Sequence, residues 1–409
     1  MTTCRASLAM LLCMLGGFIV NGLAAEENIE PALKADADVL ARLEVLGDNS
    51  SCVLPGPRII EDLGEFAKGW HRMQQTGPTG RDFTIKMAWM ADRRRAFFCG
   101  ANHGSPHRFN DAWEYDLASN TWVLLYTPDY NDRGPITDYD KQTLVLRDGW
   151  LRTKKGGPAH PAHTWWGLTY DPRAKAALWY CAWPSYRLQD KLDAIGAKKE
   201  DLYQGPPLWA FYPAQKKWAP IPTSQPWPRN KFGASLEYIA ELDGSLWQYD
   251  NNTWRFDEVK KSWRLLCDEG ASLPIETLVC HDRARKLLIA HRGPRKDDLP
   301  RTWHMSLAGD APSGWKQVLE SADSPNGHDA RSWMYFDPVG KVALLYERES
   351  KNIWSYDPAE VRWTKLQPDG PAPPFEERER VLAYFDPPRN VLVVIGYDSV
   401  WCYRYRRAK

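Results

Sequence analysis

The chain has 409 residues, with 53 Lys plus Arg against 52 Asp plus Glu, and a formal net charge of +1. That balance gives no basic excess for a nucleic-acid or membrane-surface partner. The 21 Trp and 31 Pro, in a chain with few long apolar runs, point to short strands joined by turns.

In chain order, the first element is a leader. Arg5 supplies a positive start, Leu8 to Val20 is apolar, and Leu23-Ala24-Ala25 precedes Glu26-Glu27. This pattern predicts a secretory signal peptide over residues 1–25, cut after Ala24 or Ala25, and so a secreted or periplasmic protein. The alternative is an uncleaved anchor, although the apolar stretch is short for a span of roughly 20 residues. No membrane span is expected in the mature chain. Residues 26–66 form an N-terminal extension, whose apolar spacing at Leu33, Val39, Leu40, Leu43 and Leu46 predicts a helix over 30–46. The mature chain keeps Cys52, Cys99, Cys181, Cys267, Cys280 and Cys402. Six thiols allow 15 pairings, and both disulfides and buried free thiols remain open. None has the CxxC spacing of a zinc or redox site.

From residue 67 onward the sequence repeats. Trp113-Glu-Tyr115-Asp116 is followed by Trp122, Trp209-Ala-Phe211 by Trp218, Trp254-Arg-Phe256-Asp257 by Trp263, and Trp354-Ser-Tyr356-Asp357 by Trp363. In each case the two Trp are 9 residues apart. Trp303-His-Met305 is followed, after a longer turn, by Trp315. Alternation puts Trp and Tyr on one sheet face, Asp opens a turn that its side chain can close, and the second Trp begins the next strand. Upstream of the hairpins lies a second recurring piece, clearest in Ala383-Tyr-Phe-Asp386-Pro-Pro-Arg-Asn390 and Trp333-Met-Tyr-Phe-Asp337-Pro-Val-Gly-Lys341. Each copy is a strand, a turn and a buried apolar strand, so a full unit is a four-stranded antiparallel sheet.

The first-Trp intervals are 96, 45, 49, 51 and 47 residues. A period near 50 with four strands per unit resembles the kelch-repeat propellers, including the central domain of galactose-oxidase-type proteins. The resemblance covers residues 67–409 and implies an all-β, six-bladed kelch-type β-propeller with four-stranded antiparallel blades. The family's double glycine is reduced to single Gly100, Gly293 and Gly396. The last unit, Trp401-Cys-Tyr403, has no outer strand after it, and Gly69-Trp70-His-Arg-Met73 looks like the missing one. An N-terminal outer strand around Trp70 is therefore expected to close the ring, since an open edge invites aggregation. Residues 127–163 read as a long loop between the first two blades, and 186–203 as an insertion carrying a short helix.

In such a ring, the loops between second and third strands emerge on one face with the loops between blades. Function concentrates in loops on a rigid scaffold. That face collects the candidate ligand-binding residues Asn102, His103, His107, Arg108, Asp111, Arg133, His160, His163, Trp165, Arg229, His291 and His328. His103, His107, His160 and His163 are candidate metal ligands, because imidazole suits zinc, copper or iron; solvated loop histidines are the alternative. A cleft walled by 101–111 and 156–166 is expected over the axis.

No catalytic residues can be named, and no cofactor is required, although a metal ion is allowed. The sequence favours an exported binding module for a glycan or protein ligand. The alternative is a carbohydrate-active enzyme, either an epimerase or mutarotase of the kind found among exported six-bladed kelch propellers, or a metal-dependent oxidase. The oxidase is disfavoured, because that resemblance implies a C-terminal domain delivering a metal ligand.

Overall fold

The computed structural model describes residues 33–64, 73–81, 86–100, 109–131, 134–135, 143–159, 165–181, 188–229, 233–294, 298–309, 312–327, 331–377 and 379–408. The leader and His71 lie outside them. Among the described residues, six four-stranded antiparallel sheets form the blades of a β-propeller. Blade 1 runs through Ala88–Met90, Arg95–Cys99, Ala112–Asp116 and Thr121–Tyr126. Blade 2 is Leu168–Asp171, Ala176–Tyr180, Leu208–Tyr212 and Lys217–Pro220, and blade 3 is Ser235–Ile239, Gly244–Tyr249, Asn252–Asp257 and Ser262–Cys267. Blade 4 is Leu278–Asp282, Leu287–Arg292, Arg301–Ser306 and Lys316–Glu320, and blade 5 is Ser332–Asp337, Val342–Glu347, Ile353–Asp357 and Arg362–Lys365. In each blade the first strand is innermost, and it touches the innermost strands of both neighbours around the ring.

The repeated residues explain the repeated geometry. Tyr115 faces Trp122, Phe211 faces Trp218, Phe256 faces Trp263 and Tyr356 faces Trp363 across the outer ladder. The ring centroids in these pairs are 5.1, 5.0, 5.1 and 5.0 Å apart, within the range of favourable aromatic contact. The turn aspartates act as expected: Asp116 accepts from the Ser119 amide, Asp257 from Val259 and Lys260, and Asp357 from Ala359. The inner turns use the same device. Asp171, Asp282, Asp337 and Asp386 are fully buried and accept backbone N–H bonds from residues two or three ahead. Four residues after each of them the backbone turns left-handed, at Lys175, Lys286, Lys341 and Asn390 (φ 49 to 56°).

Blade 6 closes the circle. Leu382–Asp386, Val391–Ile395 and Ser399–Arg404 come from the C-terminal end, and the outer strand is Ser50–Pro55. The ring is therefore closed by an N-terminal outer strand, but not by the one the tryptophan pattern singles out. The place beside Ser399–Arg404 is taken, register by register, from Ser50 opposite Arg404 to Pro55 opposite Ser399. Trp70 lies outside the described residues. The reason for the correction is local. Opposite Tyr403, where other blades place a tryptophan, stands Ser51, whose hydroxyl donates to the Pro371 carbonyl at 2.7 Å. The seam carries no aromatic signature.

The segment then crosses to blade 1, where Arg58–Ile59 adds a short parallel fifth strand beside Thr121–Trp122. Asn120 Nδ2 ties the crossing by donating to the Pro55 carbonyl at 2.8 Å. The helix expected over 30–46 is present as Ala37–Glu44. Asp36 caps it by accepting from the Asp38 and Val39 amides, and Val39 and Leu43 are its buried residues. Arg42 donates from it to the Val53 carbonyl at 2.9 Å, fastening the helix to the closing strand. No disulfide joins the six described cysteines, of which Cys99, Cys181, Cys280 and Cys402 are buried. Cys52 and Cys402 stand opposite each other across the closing ladder. Among the described residues no helix is long and apolar enough to cross a membrane.

Candidate functional site

Antiparallel order fixes the two faces of the ring. Turns between first and second strands, and between third and fourth, leave from one face. The segments between second and third strands, and between blades, leave from the other. The second face carries the insertions. The segment between blades 1 and 2, expected as a long loop, holds two small hairpins, Tyr130–Asn131 with Gly134–Pro135 and Leu144–Arg147 with Trp150–Thr153. The blade 2 insertion forms the expected helix, Leu188–Ala194.

These two insertions fold onto each other. Leu144, Leu151 and Ala159 from the first pack with Leu188, Leu192 and Leu202 from the second into one apolar cluster. Trp150 stacks on Tyr203 with centroids 4.8 Å apart and meets Trp209 of blade 2 edge-on at 5.3 Å. The Tyr203 amide donates to the Gly149 carbonyl at 2.7 Å. Gly149 has φ 78°, and an added Cβ would lie 2.8 Å from the Tyr203 nitrogen, so the approach requires glycine there. The result is a lobe with its own core, standing on the loop-bearing face over blade 2.

The candidate residues fall into three groups. Asn102, His103, His107, Arg108, Arg133, His160, His163 and His328 lie outside the described residues, and with them the four proposed metal ligands. Among the described residues no cluster of His, Cys, Asp and Glu could hold a metal ion. Asp111 and His291 are buried inside the blades. Asp111 takes a two-pronged ion pair from Arg81, at 2.8 and 2.5 Å, and accepts from Trp113 Nε1 at 2.6 Å. Both partners of the pair have fully buried side chains. His291 has both ring nitrogens within 3.0 Å of a partner, the Thr302 hydroxyl and the Pro325 carbonyl, and its ring lies edge-on to Trp363. Burial holds its pKa down to about 4, so the ring is neutral near pH 7.

Trp165 and Arg229 form the third group. Trp165 is 5% exposed and has a left-handed backbone (φ 41°) at the base of the inter-blade segment. Arg229 is exposed, and its carbonyl accepts from the Tyr180 hydroxyl at 3.1 Å. The two walls expected for a cleft do meet at their described ends. Gly157 approaches Asn110 so closely that a Cβ would fall 2.5 Å from the amide nitrogen. Asn110 in turn donates to Asp129 at 2.8 Å and accepts from its backbone amide at 3.1 Å.

Two cavities matter for ligands. One, of about 220 Å³, opens on the loop-bearing face of blade 5 between Asn326–Gly327 and the Glu347–Asn352 turn. Its polar wall is built around Glu347, which accepts from Ser350 Oγ at 2.7 Å and from Trp354 Nε1 at 3.0 Å. The other, of about 290 Å³, is axial and opens toward the opposite face. Neither was visible from histidine positions or loop lengths. For the axial cavity a signal did exist: the residue before the inner-turn Asp is aromatic in copy after copy (Tyr170, His281, Phe336, Phe385).

No family model matches the chain, and no curated protein matches it by sequence. Among solved structures, an auxiliary nutrient binding protein from Bacteroides ovatus is similar at 8% identity, over 86% of this chain and 76% of that one, with a TM-score of 0.47. A likeness that loose carries no argument for function.

Proposed function

We propose that this protein is an exported binding module of kelch-like descent that presents the loop-bearing face of its ring to a glycan or protein ligand. The observation that carries the reading is the lobe. Two insertions from different places in the chain fold together on one face, with an apolar core of their own. Long connections in compact domains are usually functional, and function concentrates in loops on a rigid scaffold. The polar pocket beside Trp354 favours a glycan, because a half-buried aromatic next to carboxylate and amide groups suits a ring with one apolar face and several hydroxyls. Export rests on the leader pattern of residues 1–25, and kelch-like descent on the spacing of the paired tryptophans.

The test is a glycan-array screen of the purified chain, followed by calorimetric titration of the best hit. Leu192, fully buried in the lobe helix, is changed to Ser to loosen the lobe. Trp354→Ala removes the aromatic wall of the pocket. Binding that weakens about ten-fold or more in either variant, with the melting transition retained, is the expected result. Binding indifferent to both, or a chain that binds neither glycans nor a protein ligand, overturns the reading.

A further inference from the structure

The inner strands converge on the axis, and their next-to-last residues occupy equivalent places in all six blades. These are Trp89, Tyr170, Tyr238, His281, Phe336 and Phe385, and every one lines the axial cavity. The left-handed turn residue four positions after each strand end fixes the alignment: Arg94, Lys175, Asp243, Lys286, Lys341 and Asn390. Six ring-bearing side chains at six equivalent positions form a collar around the mouth. Four of them also meet a neighbouring blade: Trp89 stacks on Tyr384 at 6.1 Å, the Tyr170 hydroxyl donates to Asp92 at 2.7 Å, Arg173 lies over the Tyr238 ring at 5.7 Å, and His281 lies 3.8 Å from the Glu241 carboxylate. The preceding equivalent positions, which also line the cavity, carry Ala88, Thr169, Glu237, Cys280, Tyr335 and Tyr384, a set with no common chemistry. Trp89, Tyr238, His281 and Phe336 are only partly buried, so the collar presents ring surface to whatever enters.

The inner end of the cavity carries charge that is already spent. Lys86 forms an ion pair with Glu237 and also donates to the Leu236 carbonyl at 2.9 Å. Its ammonium lies 5.4 Å from the centroid of the Trp166 ring. Burial pushes the Lys86 ammonium down and the Glu237 carboxyl up, while their mutual attraction opposes both shifts. Among the described residues a charged ligand would find no free counter-charge there and would have to be desolvated without compensation. Hydrogen-bonding capacity remains, however. His281 Nε2 is buried without a hydrogen-bond partner and lies 3.8 Å from the Glu241 carboxylate. Tyr238 lines the same cavity, with the Arg173 guanidinium 5.7 Å from its ring centroid.

From this juxtaposition we infer that the axial mouth on the turn face is a second binding site, and that it takes a neutral saccharide unit of one or two pyranose rings. Aromatic faces pack against the C–H face of a sugar ring, while its hydroxyls reach the His281 imidazole and the Glu237 carboxylate. About 290 Å³ is room for a unit of that size and not for a long chain. The site lies on the opposite face from the lobe and the blade 5 pocket, and it shares no residue with either. It stands or falls independently of the loop-face reading.

The experiment is a calorimetric and saturation-transfer NMR titration of the full chain. The probes are neutral hexoses and disaccharides, with benzoate and tetramethylammonium as charged aromatic-site controls. Variants are Trp89→Ala and Phe336→Ala at the collar, His281→Gln at the polar wall, and Trp354→Ala on the other face. A neutral sugar that binds the wild type, and weakens about ten-fold in each collar variant but is unchanged by Trp354→Ala, is the expected result. His281→Gln removes a collar ring while keeping a side-chain N–H, so it is expected to weaken the sugar as the other collar variants do, and it keeps the test readable should one of those fail to fold. The inference is overturned by any of three results: no sugar binds, only a charged control binds, or sugar binding is lost with Trp354→Ala and kept in the collar variants. The last result leaves the loop-face reading intact.

Discussion

At the scale of single residues, burial decides what an ionisable group can do. Asp111 was a candidate for ligand binding, and it is instead the anchor of a fully buried pair with Arg81, in which a carboxylate meets a guanidinium two-pronged and also receives Trp113 Nε1. Removing one partner of such a pair strands the other charge without water. Asp111→Asn is expected to destabilise the fold by about 3–5 kcal/mol, read from urea unfolding. A change below about 1 kcal/mol would mean that the pair is hydrated. His291 gives a pH signature. Its folded-state pKa of about 4 lies below the unperturbed 6.5 because the ring is buried. The unfolded chain therefore takes up the proton first. Stability is full above pH 6.5 and declines as the pH falls toward 4, by up to about 3 kcal/mol. His304, partly buried, is shifted in the same direction and adds a smaller share. His291→Gln should flatten the acid limb of a stability–pH curve, and an unchanged limb would mean that other groups carry it.

At the scale of elements, the recurring unit is a ring facing a ring. The aromatic pair at 5.0–5.1 Å joins the third strand to the fourth in four blades. Trp363 also donates from Nε1 to Thr302 of the neighbouring blade at 2.9 Å, so it fastens two blades. Trp363→Ala should cost about 3–5 kcal/mol in chemical unfolding. A cost no larger than that of an exposed substitution would show that the pair is ornamental. Because aromatics carry these contacts, the hairpins and their Asp turns were legible in the sequence. The closing strand was not. Ser50–Pro55 is Ser-Ser-Cys-Val-Leu-Pro, with Ser51 where a tryptophan stands elsewhere and only Leu54 fully buried among its apolar residues. Its affinity for the seam comes from backbone pairing and from Pro371, Asn49 and Arg42, none of which marks a period. Trp70 resembles the repeat more closely, but Ser50–Pro55 occupies that edge. Leu54→Asp should therefore loosen the seam and lower the melting temperature, while the same change at the exposed Val259 should not.

At the scale of the whole molecule, the ring has two differently equipped faces. The number of blades follows from the period of the tryptophans, and the loop-bearing face follows from strand order, so both could be reached from the sequence. The lobe could be reached only in part. Its helix shows in the spacing of Leu188 and Leu192, but its partnership with Leu144 and Leu151 is a tertiary fact. The axial collar was hidden differently. Blades 1 and 3 end their inner strands with Met90 and Ile239 where the others carry Asp, so six aromatic positions looked like four. The whole arrangement depends on the ring being closed by its own N-terminal segment, with Ser50–Pro55 paired to Ser399–Arg404. Amide hydrogen exchange measures this most directly. If the strand closes the ring, the peptide covering 50–55 exchanges as slowly as the one covering 391–395, and both give way together in denaturant. Exchange of 50–55 at the rate of an open loop, while 391–395 stays protected, would contradict the account.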